Sequence, residues 1–257
     1  MFDREGTKST FLVPDWQVPD NIVAHTTTRY RGFSRGDFGG LNLATHVGDE
    51  AADVASNRDL LVRELDAAVS LQWLDQVHGT DVVQARRDSQ ARRADAVITT
   101  ERNLACCVLT ADCLPVFFAS QQGDAVGVAH AGWRGLAAGI LENTLSAFPA
   151  PPAETAVWLG PAIGPCHFEV GGEVREAFLG AASGALRAAL HECFQAVPGQ
   201  DKYLANLYGL ATARLQQQGV QAISGGGFCT YCDADQFYSF RRRARTGRMA
   251  SLIYLKD

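Results

Sequence analysis

No apolar run in the 257-residue sequence approaches the ~20 residues that a membrane-spanning helix needs. The start of the chain, Met1 to Trp16, also lacks an apolar core of signal-peptide length. The cysteine count of seven is odd, which does not suit a disulfide framework. Together these features predict a soluble protein of a reducing, cytoplasmic compartment. Excess positive charge is missing too: a net charge of −5 argues against nucleic acid or a membrane surface as a general partner. Also missing is any His-x-His pair among the six histidines, which argues against a trinuclear copper cluster, although two histidines and a cysteine could still hold a single copper. Cys229-x-x-Cys232 has no second Cys-x-x-Cys pair to complete a zinc ribbon.

What is present is ordinary globular composition, 47% hydrophobic and 20% charged, in a chain long enough to bury a sizeable core. The only linker-like break, Pro149–Pro152, also suits a surface connection, so residues 1–257 read as a single domain. Strands are expected at Ile22–Tyr30, Leu71–Val77, Thr80–Ala85, Leu104–Leu109, Leu114–Ala119, a run ending at His130, Thr155–Gly160, Val220–Ser224, Gln236–Phe240 and Met249–Leu255. The pair flanking His78-Gly79 reads as two strands meeting at a tight turn. Apolar spacing predicts helices over residues 50–66, Trp133–Phe148, Gly172–Ala182 and Tyr203–Gln218. Strands and helices alternate without a regular βαβ beat, so the class is α+β with mixed sheets.

Candidate chemistry concentrates between Leu104 and Gly135. Cys113 and His130 lie at the ends of buried runs, and His78 precedes a glycine after another run. Two imidazoles and a thiolate can hold zinc with a fourth position open, as in catalytic sites; the competing reading is satisfied core histidines. Arg31–Asp49 carries five glycines and reads as a long functional loop, whose Ser34, Asn42 and His46 offer donors to an anionic or sugar-like ligand. Arg241–Arg248 is either a solvated face or an anion clamp. Cys232 reads as structural and Cys229 as a possible pocket residue.

The motifs QVHG at 76–79, TADCLPV at 110–116, AHAGWRGL at 129–136, LGPAIGP with FEVGGEV at 159–174, CTY at 229–231 and TGRMAS at 246–251 resemble the laccase-domain family. That family is described as multicopper polyphenol oxidase, purine nucleoside phosphorylase and peptidoglycan editing factor, and the resemblance spans nearly the whole chain. It implies a four-layer α/β/β/α sandwich similar to cysteine hydrolases of the cytotoxic necrotizing factor type. It further implies a zinc ion on the catalytic residues His78, Cys113 and His130, with copper a less suitable occupant. The activities implied are phosphorolysis of adenosine, inosine, guanosine and methylthioadenosine, together with adenosine deamination. The substrates would then be purine nucleosides and phosphate, and the substrate-binding candidates Arg29, Ser34, Asn42, Cys229, Arg241 and Arg242. A second implied activity is an amidase that removes wrong amino acids from nucleotide-linked muramyl peptides. Copper laccase chemistry does not fit the histidine content.

Two further readings stand apart. A non-catalytic zinc protein would need a fourth ligand, Cys166 or Cys229, and a metal-free Cys-His hydrolase would use Cys113 as nucleophile. The chain departs from the family pattern at Asn206, where an aspartate is common, and at Arg243-Ala244.

Overall fold

The computed structural model describes residues 9–65, 69–88 and 90–257. The chain start, the expected end of the first helix at Asp66, and Ser89 of the arginine-rich loop lie outside the described residues.

Two mixed sheets form the centre. One is five-stranded, in the order Phe11–Leu12, Ile22–Thr27, Met249–Leu255, Leu104–Thr110 and Ser70–Gln72. The other is six-stranded, in the order Ala222–Gly225, Thr155–Leu159, Leu114–Ser120, Val126–Ala131, Ala96–Thr99 and Val82–Gln84. Their long strands are buried on both faces, which is why they appear in the sequence as unbroken apolar runs rather than as alternation.

Successive side chains still divide between two faces. In Leu104–Thr110, Leu104, Cys106 and Val108 pack inward against Phe117, Val126, Val128 and Trp158 of the other sheet. Their neighbours Ala105, Cys107 and Leu109 turn outward into a cluster with Leu61 of the helix Ala51–Glu64. On the far side, Leu114, Val116, Phe118 and Val157 meet Leu136, Ile140, Leu141, Phe178, Leu210 and Leu215 from the remaining helices. The layers are therefore helix, sheet, sheet, helix, the expected four-layer sandwich. Burying each such Leu or Phe stabilises the fold by roughly 1.5–3 kcal/mol. Among the described residues, no helix is long and apolar enough to cross a membrane.

Four expectations are corrected. The segments flanking His78 do not pair with each other: Leu74–Asp75 pairs with Arg92–Arg93, whereas Val82–Gln84 joins Ala96–Thr99 in the six-stranded sheet. The helix expected at 133–148 is broken into Trp133–Ala138 and Ile140–Ala147, because Gly139 takes a left-handed φ of 106°. The helix expected from Tyr203 begins at Leu207, since Lys202–Ala205 is claimed by a three-stranded sheet with Glu169–Gly171 and Phe194–Ala196. Residues 236–240 are irregular backbone with turns at either end rather than a strand.

Candidate active site

The chain passes from one central sheet to the other at Ala111–Cys113, between the strands Leu104–Thr110 and Leu114–Ser120. Asp112 adopts φ 89° in this crossing, an unusual conformation for a non-glycine residue. Its carboxylate holds the turn, accepting hydrogen bonds from the Thr230 hydroxyl and the Arg241 backbone N–H, each at 2.6 Å. Cys113 is thereby fixed where the two sheets meet.

His78 reaches the same point from a turn of its own. It too has a positive φ, 58°. The turn is built around the fully buried Asp95, whose carboxylate accepts the backbone N–H groups of Val77, His78 and Gly79 at 3.2, 3.0 and 2.6 Å. Gln76 pins the other side: its amide donates to the Leu109 carbonyl and accepts the Leu109 N–H. These bonds use both oxygens of Asp95, and one of them also takes the Nδ1 of buried His130 at 2.8 Å. A donor at Nδ1 leaves Nε2 of His130 with a lone pair for a metal.

The ligand atoms of His78, Cys113 and His130 lie within 4.8 Å of one another. Cys113 Sγ is 3.8 Å from His78 Nε2, and the two imidazole rings meet edge to face with centroids 4.7 Å apart. Gly132 permits this approach, since a Cβ there would stand 2.8 Å from His78 Cδ2 and 3.0 Å from Cys113 Sγ. Burial pushes the Cys113 thiol up, but the His130 charge and hydrogen bonds from both histidines outweigh it and bring the pKa down to about 6. Burial likewise opposes protonation of His130, yet Cys113 and Asp95 raise its pKa to about 9. A thiolate and two imidazoles, one fixed by a buried carboxylate, form a donor set that fits zinc, and among the described residues the group has no fourth protein ligand.

The three residues sit in a cavity of about 330 Å³. Arg241 and Arg248 supply positive charge at its lining, Phe168 and Phe240 supply aromatic faces, and His46 and Gln76 supply polar edges. Phe240 is 53% exposed at the lining of the cavity, with the Arg248 guanidinium 5.9 Å from its ring centroid. Burial and nearby Arg248 lower the pKa of His46.

Of the residues expected to bind substrate, Arg241 and the loop residue His46 line this cavity, and the others are engaged elsewhere. Arg29 donates to the carbonyls of Gly39 and Ala234 and lies over the Tyr238 ring. Ser34 and Asn42 both donate to Asp49, at 2.6 and 2.8 Å, so they order the glycine-rich loop. Arg242 donates to the carbonyls of Thr230, Tyr231 and Phe237. Cys166 and Cys229, the expected fourth ligands of a non-catalytic zinc site, belong to a separate group with His167 and Cys232. The two departures from the family pattern are also outside the cavity: Asn206 caps a helix, and Arg243 pairs with Asp37 at 2.6 Å.

Asp95 is not among the expected site residues, whereas Arg248 ends the Arg241–Arg248 run read as a solvated face or an anion clamp. The available signal for Asp95 is a carboxylate between alanines at the head of an apolar run, where a charge needs a strong internal partner.

A fold of this layering, with a Cys-His-His group between its sheets, is accompanied by a clear family match. Residues 23–256 match the family model described as multi-copper polyphenol oxidoreductase laccase. The chain belongs to that family. It is 49% identical over 249 residues to a purine nucleoside phosphorylase of Pseudomonas aeruginosa, covering 97% of this chain and 100% of that one. It is 45% identical to the purine nucleoside phosphorylase YfiH of Escherichia coli, covering 96% and 99%. Among solved structures, a Neisseria meningitidis protein superposes with a TM-score of 0.91 at 42% identity, covering 97% of this chain and 100% of the other.

Proposed function

We propose that the protein is a zinc-dependent purine nucleoside phosphorylase for adenosine, inosine, guanosine and methylthioadenosine, with adenosine deaminase activity. The observation that carries this reading is the meeting of His78, Cys113 and His130 in a cavity that also holds two arginines and two aromatic rings. Relatives that carry the phosphorylase name over their whole length support it. His78, Cys113 and His130 would hold the ion, which supplies Lewis acidity to a substrate oxygen or water when bound.

The chain's own groups account for the rest of phosphorolysis. In that reaction a phosphate oxygen bonds to the ribose C1′, the bond from C1′ to the purine nitrogen breaks, and the base leaves with a proton. Arg241 and Arg248 offer planar donors that neutralise and orient phosphate. Phe168 and Phe240 cover the purine faces and exclude water from the glycosidic bond. His46, kept neutral by burial and Arg248, offers one donor and one acceptor to the purine edge or a sugar hydroxyl. Asp95 holds the Nδ1 proton of His130 and so keeps that ring oriented throughout. A copper oxidase reading has less support, because the cavity offers only His46, His78 and His130 as imidazoles.

We read residues 1–257 as one domain, since the cavity draws on residues from His46 to Arg248. A cytoplasmic, reducing setting suits the seven free cysteines.

The test is to incubate zinc-replete, untagged protein with inosine or adenosine, with and without phosphate, and to quantify free base, sugar phosphate and deaminated nucleoside. Phosphate-dependent release of base is expected. It should fall at least about 10-fold in His78→Ala and Cys113→Ala, since losing a ligand costs no less than losing its outer-shell partner. Absence of phosphate-dependent base would overturn the reading. Amino-acid release from a nucleotide-linked muramyl peptide in its place would assign the amidase.

A further inference from the structure

Outside that cavity, the loop between Gly160 and Phe168 and the turn at Cys229–Cys232 converge on one point. Adjacent Cys166 and His167 come from the loop, and Cys229 and Cys232 from the turn. Cys166 Sγ lies 3.8 Å from Cys229 Sγ and 3.6 Å from Cys232 Sγ. His167 Nδ1 lies 3.2 Å from Cys166 Sγ and 3.3 Å from Cys232 Sγ.

These spacings discriminate between chemistries. A disulfide brings two sulfurs to about 2.0 Å and leaves other groups aside. Around a tetrahedral zinc with Zn–S of about 2.3 Å and Zn–N of about 2.0 Å, the edges are about 3.8 Å between sulfurs and about 3.5 Å between sulfur and nitrogen. The four edges given lie within a few tenths of an ångström of the second pattern, and all four donor atoms lie within 4.8 Å of one another.

Local structure holds the donors in that arrangement. The Cys229–Cys232 turn is closed by Asp233, whose N–H donates to the Cys229 carbonyl at 2.8 Å and whose carboxylate accepts the Cys229 N–H at 3.3 Å. The Gly164 N–H donates to Cys229 Sγ at 3.2 Å, as backbone amides do toward thiolates. Gly164 eases this approach, because a Cβ there would crowd Cys229 at 3.0 Å from its Cβ and 3.2 Å from its Sγ. The His167 ring stacks on Tyr231 at 4.0 Å between centroids, which fixes its orientation.

We propose that Cys166, His167, Cys229 and Cys232 form a second metal site, a closed Cys₃His zinc centre distinct from the three-ligand site in the cavity. Four protein ligands leave no position for substrate, so this ion is structural. Its thiolates select a soft or borderline cation over calcium or magnesium. The centre acts as a clamp on the cavity wall. The clamped loop carries Ile163 and Phe168, and the His167 carbonyl accepts a hydrogen bond from Arg241 at 3.1 Å.

The proposal stands apart from the catalytic reading and is tested without activity. The Cys113→Ala variant, purified under reductant and stripped of metal, is titrated with cobalt(II). The cavity site then has only imidazole ligands, so thiolate-to-cobalt charge transfer with intense tetrahedral d–d bands reports the Cys₃His centre. One equivalent of this spectrum is expected, and its loss in Cys113→Ala/Cys232→Ser. Wild-type protein reconstituted with zinc should hold two ions per chain, and Cys113→Ala one tightly held ion. Failure of folded Cys113→Ala, judged by circular dichroism, to give thiolate charge transfer would overturn the proposal. So would a stable disulfide among the three cysteines under the same reductant.

Discussion

Asp95 joins His78 and His130 through one carboxylate: it accepts the His78 backbone N–H at 3.0 Å and the His130 Nδ1 at 2.8 Å. A single buried side chain therefore sets the backbone of one proposed ligand and the ring of another. Burial opposes the charge on Asp95, but the His130 hydrogen bond and the Gly79 and Val77 amides keep its pKa below the ordinary carboxylate value. In Asp95→Asn the shape is kept, but the charge is lost and one oxygen becomes a donor facing donors. The expected outcome is a 10- to 100-fold loss in zinc affinity, on the order of an outer-shell substitution, measured by competition with a chromogenic chelator. The fold should also lose about 1.5–3 kcal/mol or more, read by denaturant unfolding of the metal-free protein.

The cysteines should separate by reactivity in metal-stripped, reduced protein. Cys113 is a thiolate above about pH 6, so its carboxymethylation rate should rise through that pH and level off by neutrality, rather than rising near 9. Below pH 6 the thiol is protonated and the rate falls. Burial pushes Cys106 and Cys107 well up and Cys193 up to about 11, so these three should remain unlabelled at pH 7 until the protein is unfolded. Zinc should protect Cys113. Peptide mapping after timed labelling checks the order, and a Cys113 midpoint near 9 would contradict the proximity of His130.

The neighbouring arginines provide a contrast within one sequence run. Arg241 lines the cavity and commits Nη1 to the carbonyls of His167 and Glu169, while Arg242 commits both terminal nitrogens to three backbone carbonyls away from it. Arg241→Ala should raise KM for phosphate about tenfold or more, the worth of one charge-assisted hydrogen bond, with a smaller fall in Tm than Arg242→Ala, because Arg241 gives up two backbone carbonyls rather than three. Arg242→Ala should lower Tm and leave the phosphate KM of the remaining folded protein nearly unchanged. Equal effects of both on KM would place phosphate elsewhere.

How much is legible in the sequence depends on the range of the interaction that fixes each feature. The strands Leu104–Thr110, Leu114–Ser120 and Val126–Ala131 are buried on both faces, so local composition reveals them. Lys202–Ala205 shares helical spacing with the helix Leu207–Gln217, and only pairing with Glu169–Gly171 and Phe194–Ala196 makes it a strand. The convergence of His78, Cys113 and His130 is legible from their strand ends and glycine turns together with the family motifs. The role of Asp95 is not, because its partners lie 16 to 18 and 35 residues away. Cys229-x-x-Cys232 looks incomplete in the sequence for the same reason: its complement, Cys166-His167, is more than 60 residues earlier and is not itself a Cys-x-x-Cys pair.

Asn206 shows how a departure from a family pattern can be local in meaning. Its side chain accepts the Gly209 N–H at 3.1 Å and so caps the helix Leu207–Gln217, while its own N–H donates to the Cys193 carbonyl at 2.9 Å. Aspartate and asparagine are nearly equivalent N-caps, because either offers a side-chain oxygen to an orphan amide at the first turn. Asn206→Asp should therefore leave nucleoside turnover unchanged and alter stability by no more than about 0.5 kcal/mol, with any gain arising from the helix dipole. Asn206→Ala removes the acceptor and should cost about 1 kcal/mol, again without a change in KM. Parallel unfolding curves and initial rates for the two variants check this. A large gain or loss of turnover in Asn206→Asp would mean that this position reaches the substrate and is not simply a cap.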